Sequence, residues 1–137
     1  MPLGFSEIYC HLIWRVAADS ERMNKATQKI LERYLLQHGD DFGYKPLAVA
    51  VLEDHIHMLV KLMSGVAPGA LVELLKKQIK IFLVEQMAVK SPPRWDDGYG
   101  IVSVSRAHLN VVADYIRTQR ARHKSGKINK TLERTRA

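Results

Sequence analysis

Two apolar runs, Lys45 to Leu52 and His55 to Leu62, are separated only by Glu53 and Asp54. Two residues can close a hairpin but cannot carry a crossover, so the runs read as antiparallel neighbours in one sheet. A third strand is written into Ile8 to Val16. There Ile8, Cys10, Leu12, Trp14 and Val16 share one face, and Tyr9, His11, Ile13 and Arg15 share the other. Tyr99 to Val104 reads as a fourth strand. Between these lie helical patterns. Asn24 can cap a helix through His38 with Ile30, Leu31, Tyr34 and Leu35 inward, and Gly39 is expected to stop it. Pro68 suits the start of a second helix to about Ala88, with Leu71, Leu74, Leu75, Ile79 and Phe82 inward. Ser105 can cap a third helix from Arg106 to Arg122.

The order strand, helix, strand, strand, helix, strand, helix predicts an α+β chain. It fits a ferredoxin-like (RRM-like) split βαβ unit with a four-stranded antiparallel sheet and an extra C-terminal helix. Its first and third strands are central, its helices cover one face, and the other face is expected to stay open. With 137 residues, one domain over 1–124 is expected, followed by a loose basic tail over 125–137. A net charge of +7 favours a polyanionic partner, either nucleic acid or an anionic membrane surface. No apolar run is long enough to span a bilayer, no signal peptide is evident, and the single Cys10 fits a reducing compartment. These features predict a soluble, cytoplasmic protein.

His55 and His57 are two apart on a strand, so both imidazoles leave the sheet face opposite Ile56, Met58, Val60 and Leu62. The pair can begin a divalent-metal site, or it can be two solvated histidines. Tyr115 and Gln119 are four apart on the last helix, beside the apolar stripe of Leu109, Val112, Ala113 and Ile116, and Arg122 continues their line. Tyrosine is a nucleophile, an amide oxygen is a hard ligand, and arginine binds phosphate. A half-buried tyrosine beside a solvated glutamine accounts for the same pattern.

Taken in order, these pieces resemble the HUH-type single-tyrosine transposases of the 200/605 insertion-sequence family and their REP-associated relatives. The likeness spans about Tyr9 to His123. It rests on Tyr9-Cys10-His11-Leu12-Ile13-Trp14, Asp54-His55-Ile56-His57-Met58-Leu59-Val60, Trp95, Gly98-Tyr99, Ser103-Val104-Ser105 and Tyr115-Ile116-Arg117-Thr118-Gln119. Where many relatives carry an acidic residue after the glutamine and then paired histidines, this chain has Arg120, Arg122 and His123.

The resemblance implies that His55, His57 and Gln119 hold a divalent metal and that Tyr115 attacks single-stranded DNA to form a 5′-phosphotyrosine link. Two imidazoles and an amide suit Mg²⁺ or Mn²⁺. Zinc would want another histidine or cysteine. The relatives recognise short hairpins from imperfect palindromes, and a homodimer is implied, with the Tyr115 helix able to complete the partner's site. The expected setting is a bacterial or archaeal cytosol or nucleoid, with no membrane partner. Candidate DNA contacts are Tyr9, His11, Arg15, Lys76, Lys77, Lys80, Arg120 and Arg122. His11 is further expected near His55 and His57. The competing readings are a noncatalytic single-stranded nucleic-acid-binding module of the same fold, a metal phosphodiesterase that activates water, and a domesticated repeat-processing nuclease.

Overall fold

The computed structural model describes residues 4–137. A four-stranded antiparallel sheet has the order β2-β3-β1-β4, built from β1 (Ile8–Arg15), β2 (Tyr44–Val51), β3 (His55–Leu62) and β4 (Gly100–Val104). The first and third strands are central, as the pattern requires. Pro46 sits where the β2–β3 register shifts, on an edge strand, where a residue without an N–H does least harm.

Helices α1 (Lys25–Gln37) and α3 (Pro68–Glu85) cover one face. Asn24 caps α1 by accepting from the Thr27 N–H, and Pro68 opens α3. Leu31, Leu35, Leu71, Leu75 and Ile79 pack there on Leu12, Trp14, Ile56, Met58 and Val60. Leu74 turns outward and Phe82 is half-buried. Burial pushes the Cys10 thiol up to about 11, so the protonated form prevails well above neutral pH. Gly39 does not end the helical region. It opens the short helix α2 (Gly39–Phe42), and the left-handed stop is Gly43 at φ 93°.

The second face is not open. Ala48, Ala50 and Leu52 from β2 and its flank, Leu59 from β3 and Val104 from β4 form an apolar patch on the side that His55 and His57 share. Such a patch needs cover, and α4 (Leu109–Arg117) supplies Val112, Ala113 and Ile116. Small Ala48 and Ala50 let that helix approach closely. The expected helix from Arg106 to Arg122 is divided into a 3₁₀ turn (Arg106–His108), α4 and α5 (Gln119–Ser125). Its interruption is Thr118, whose hydroxyl bonds back to the Asp114 carbonyl at 2.7 Å.

The tail is not loose either. After Gly126, Asn129 caps α6 (Lys130–Glu133), and Leu132, Glu133 and Thr135 are buried. Among the described residues no helix is long and apolar enough to cross a membrane.

Candidate functional site

Covering the second face places four ligand-type side chains together. His55, His57, His123 and Glu133 each offer a donor atom, and these atoms lie within 4.8 Å of one another. β3 supplies the first two from rigid backbone, α5 the third and α6 the carboxylate. His55, His57 and Glu133 are buried. Glu133 Oε2 is 3.2 Å from His57 Nε2, and Glu133 Oε1 is 3.5 Å from His55 Nε2 and 3.3 Å from His123 Nε2. None of these approaches is aligned as a hydrogen bond: His55 Nε2, His57 Nε2 and Glu133 Oε1 are buried without a partner. Orphaned donors facing one another are what a cation site requires and what a packed core avoids.

The histidines are held from behind. Asp54 Oδ1 accepts from His55 Nδ1 at 2.7 Å, which fixes the tautomer with a bare Nε2 facing the cluster. His57 Nδ1 lies 2.8 Å from His11 Nε2, and the tautomer in which His57 donates leaves its own Nε2 lone pair toward the same point. His11 is therefore beside the pair, as its strand position predicts, but it is fully buried. It supports His57 and offers no surface to DNA. Burial holds the His57 imidazole below the ordinary histidine range despite the nearby carboxylate, so the ring stays neutral. Burial alone would raise the Glu133 carboxyl, but its contacts with His57, Tyr115 and His55 outweigh that and hold it at about 2.

Tyr115 adjoins this cluster. Its ring centroid is 6.1 Å from that of His57, and its hydroxyl donates to Glu133 Oε2 at 2.5 Å. The Tyr115 hydroxyl oxygen in turn accepts from the Asn129 N–H at 2.9 Å. Burial, reinforced by the bond to Glu133, pushes the phenol above its ordinary value. The Arg122 guanidinium lies over the ring, 4.7 Å from its centroid. Gln119 is buried one turn on. Its amide donates to the Tyr115 carbonyl at 3.1 Å, and its oxygen is 2.9 Å from His123 Nε2. The expected Tyr115–Gln119 pairing survives the helix break, with the amide oxygen engaged at the rim of the cluster.

A cleft of about 370 Å³ leads in beside His55 and His123, flanked by Arg15 and Arg120. Arg120 reaches Gln28 and the Val51 carbonyl, bracing α5 against α1 and β2, and Arg15 donates to the Glu133 carbonyl at 2.8 Å. Lys76 corrects the expected DNA face on α3. It is buried, and its ammonium donates to the carbonyls of Asp96 and Gly98. Lys77 and Lys80 are exposed, and Tyr9 is half-buried.

The sequence profile of the family described as "Transposase IS200 like" matches residues 4–119. The chain belongs to that family. Among solved structures, this family member resembles a candidate transposase from Deinococcus radiodurans R1, with TM-score 0.63 and 20% identity, over 87% of this chain and 95% of the other. It also resembles a REP-associated tyrosine transposase bound to a REP hairpin, with TM-score 0.63 and 14% identity, over 90% of this chain and 73% of that one. At these identities the two structures speak for the fold alone. No curated protein gives a match. Both His123 and Glu133 lie beyond the residues that the family profile matches. Glu133 had no place in the sequence reading. The signals near it are Asn129, a cap, and Leu132, which with Ile128 is a large apolar residue in a mostly polar stretch.

Proposed function

We propose that this IS200-like transposase is an HUH-type enzyme that cleaves and rejoins single-stranded DNA through Tyr115. The observation that carries the reading is the Tyr115 hydroxyl set against a cluster of buried, unpartnered metal-type donors. His55 and His57 are the principal donors for a divalent ion, with Gln119, His123 and Glu133 around them. When bound, that ion supplies Lewis-acid charge for the scissile phosphate. A third imidazole supplies the additional ligand that zinc was expected to lack. It also weakens the case for Mg²⁺, because imidazole suits softer ions, Zn²⁺ and Mn²⁺ among them, better than Mg²⁺.

In the proposed reaction the Tyr115 oxygen attacks a backbone phosphorus. The bond from phosphorus to Tyr115 forms as the bond to the 3′ oxygen breaks. The phenol loses its proton and the departing 3′ oxygen gains one, so the products are a 5′-phosphotyrosine and a free 3′ hydroxyl. Attack by another 3′ hydroxyl reverses the step, and no nucleotide cofactor is needed. In this reading Arg15 and Arg120, which line the cleft, also contact the strand's phosphates. Exposed Lys77 and Lys80, with Tyr9 and Arg122, are further DNA contacts in this reading. A DNA hairpin, in this reading one formed by an imperfect palindrome, is the proposed substrate; the REP-associated tyrosine transposase of similar fold is bound to a REP hairpin.

The test is a labelled single-stranded hairpin with Mn²⁺. A protein–DNA adduct that survives denaturation supports the reading, whereas free 5′ phosphates without adduct mark a water-activating phosphodiesterase.

Excising a segment needs two cuts, so a homodimer with one Tyr115 in each protomer is the proposed unit. His55, His57, Tyr115 and Glu133 of a single chain already meet. Mixing His57→Ala protein with Tyr115→Phe protein, under conditions that exchange protomers, is therefore expected to leave cleavage absent. Recovery of activity would show instead that each tyrosine serves its partner's site.

A further inference from the structure

The segment after α5 contacts the site at several points. Asn129 donates its backbone N–H to the Tyr115 oxygen, and four residues later Glu133 accepts from that same oxygen. The Tyr115 hydroxyl is thus gripped from two sides by one short segment. The segment is itself anchored at several points. Asn129 caps α6, Leu132 enters the second core, and Arg15 donates to the Glu133 carbonyl. Beyond α6, Arg136 pairs with Asp96.

Two glycines form its track. A Cβ on Gly98 would collide with the Thr135 carbonyl oxygen, and one on Gly100 would collide with the Arg134 carbonyl oxygen and the Ile13 side chain. The lead-in to β4 and its first residue therefore carry no side chain where the tail's backbone lies down. A chance tail contact would not need that clearance at both Gly98, before β4, and Gly100, its first residue.

We infer that residues 129–136 form a positioning strap, and that Glu133 is a positioning residue that fixes the Tyr115 hydroxyl beside the donor cluster. This inference rests on the proposed role of Tyr115 as nucleophile. A phenol on a helix end can swing about two side-chain torsions. An attacking oxygen must instead be held within about 3–3.5 Å of its target and in line with the bond to be broken. The strap removes that freedom before DNA arrives. Glu133 also ties the nucleophile to the histidines, because its two oxygens face Tyr115 and His57 on one side and His55 and His123 on the other. Neither Glu133 nor the strap belongs to the segment that the family profile matches, so the feature is read from this chain's own fold.

The test compares Glu133→Ala, Glu133→Asp and Gly98→Ala with the unaltered protein. Adduct formation is timed at saturating hairpin DNA and saturating Mn²⁺, and hairpin and Mn²⁺ affinities are measured separately, so that a slower rate is not a loss of the ion. Glu133→Ala is expected to slow the saturated rate by about 10²-fold, with hairpin affinity unchanged and part of the rate restored in Glu133→Asp. Gly98→Ala alters no group of the site. It is expected to slow the rate by about tenfold by lifting the strap. In metal-free protein, hydrogen exchange over residues 129–136 should quicken in both Glu133→Ala and Gly98→Ala.

A rate equal to or faster than the unaltered protein's, in either variant, overturns the inference; a faster one would mark the tail as an obstruction. Unchanged exchange in both variants overturns it as well. If Glu133→Ala does not fold, Gly98→Ala decides. Absence of any adduct in the unaltered protein would instead remove Tyr115 as nucleophile. An adduct formed at full rate by Glu133→Ala leaves the nucleophile standing and removes only the strap.

Discussion

Tyr115→Phe is expected to abolish covalent adduct formation and strand cleavage, a loss of at least about 10⁴-fold, while hairpin affinity stays within about twofold. The substitution keeps the ring beneath Arg122 and beside His57 and deletes only the oxygen. It also removes two hydrogen bonds, one buried and one part-buried, leaving Glu133 Oε2 and the Asn129 N–H without that partner. A hydrogen bond to a charged group contributes about 1.5–3 kcal/mol, so the melting temperature should fall by roughly 5–10 °C. The assay must therefore be run well below the variant's melting range. A Tyr115→Phe protein that is folded and still forms the adduct would exclude Tyr115, and Tyr9 and Tyr99 would become the candidates. Neither of them neighbours the donor cluster as Tyr115 does.

Period-two alternation made β1 and β3 readable, because each strand carries large apolar residues on one face and histidines on the other. Leu12, Trp14, Ile56, Met58 and Val60 all joined the first core, and His11, His55 and His57 all left from the other face. The error lay in treating that second face as open. Leu59 lies on the histidine face two residues after His57 and is fully buried, and Ala48, Ala50 and Leu52 extend the apolar patch across β2. Read as a set, these residues require a covering layer. Read one strand at a time, they do not.

Tyr115 and Gln119 were legible from their four-residue spacing, which tolerates the break at Thr118 because the Gln119 amide still reaches the Tyr115 carbonyl. Glu133 was not legible. A carboxylate in a basic tail carries no periodicity, and its surroundings come from elements distant in sequence, His55 and His57 on β3 and Arg15 on β1. Lys76 failed in the opposite sense. Its place on a charged helix suggested solvent, but the carbonyls of Asp96 and Gly98 fold over it from the loop before β4. Long-range backbone acceptors leave no trace in local sequence.

His57→Ala is the second substitution expected to be decisive, because it strikes the cluster at its centre. His57 contacts His11 through Nδ1, faces Glu133 through Nε2 and packs beside Tyr115. If a divalent ion binds here, removing this imidazole should weaken Mn²⁺ affinity by about 10²-fold or more and abolish cleavage with it. His55→Ala should behave similarly. Gln119→Ala should lose less, since its amide oxygen is already engaged with His123 and is the weaker donor.

Calorimetry measures the affinity directly, and thermal denaturation gives an independent readout. A ligand at a hundred times its Kd stabilises the folded state by about 2.7 kcal/mol, so Mn²⁺ should raise the melting temperature of the unaltered protein and leave that of His57→Ala almost unmoved. The variant will also be less stable without metal, because deleting a fully buried imidazole leaves a cavity and takes away a polar group that faces the buried Glu133 carboxylate. That baseline loss is separable, since it is present without Mn²⁺ and does not grow when Mn²⁺ is added. Equal Mn²⁺ affinity in the unaltered protein, His55→Ala and His57→Ala would mean that these histidines hold no ion. The orphaned Nε2 atoms would then need another explanation, and the assigned chemistry of Tyr115 would have to proceed without a cation at this position.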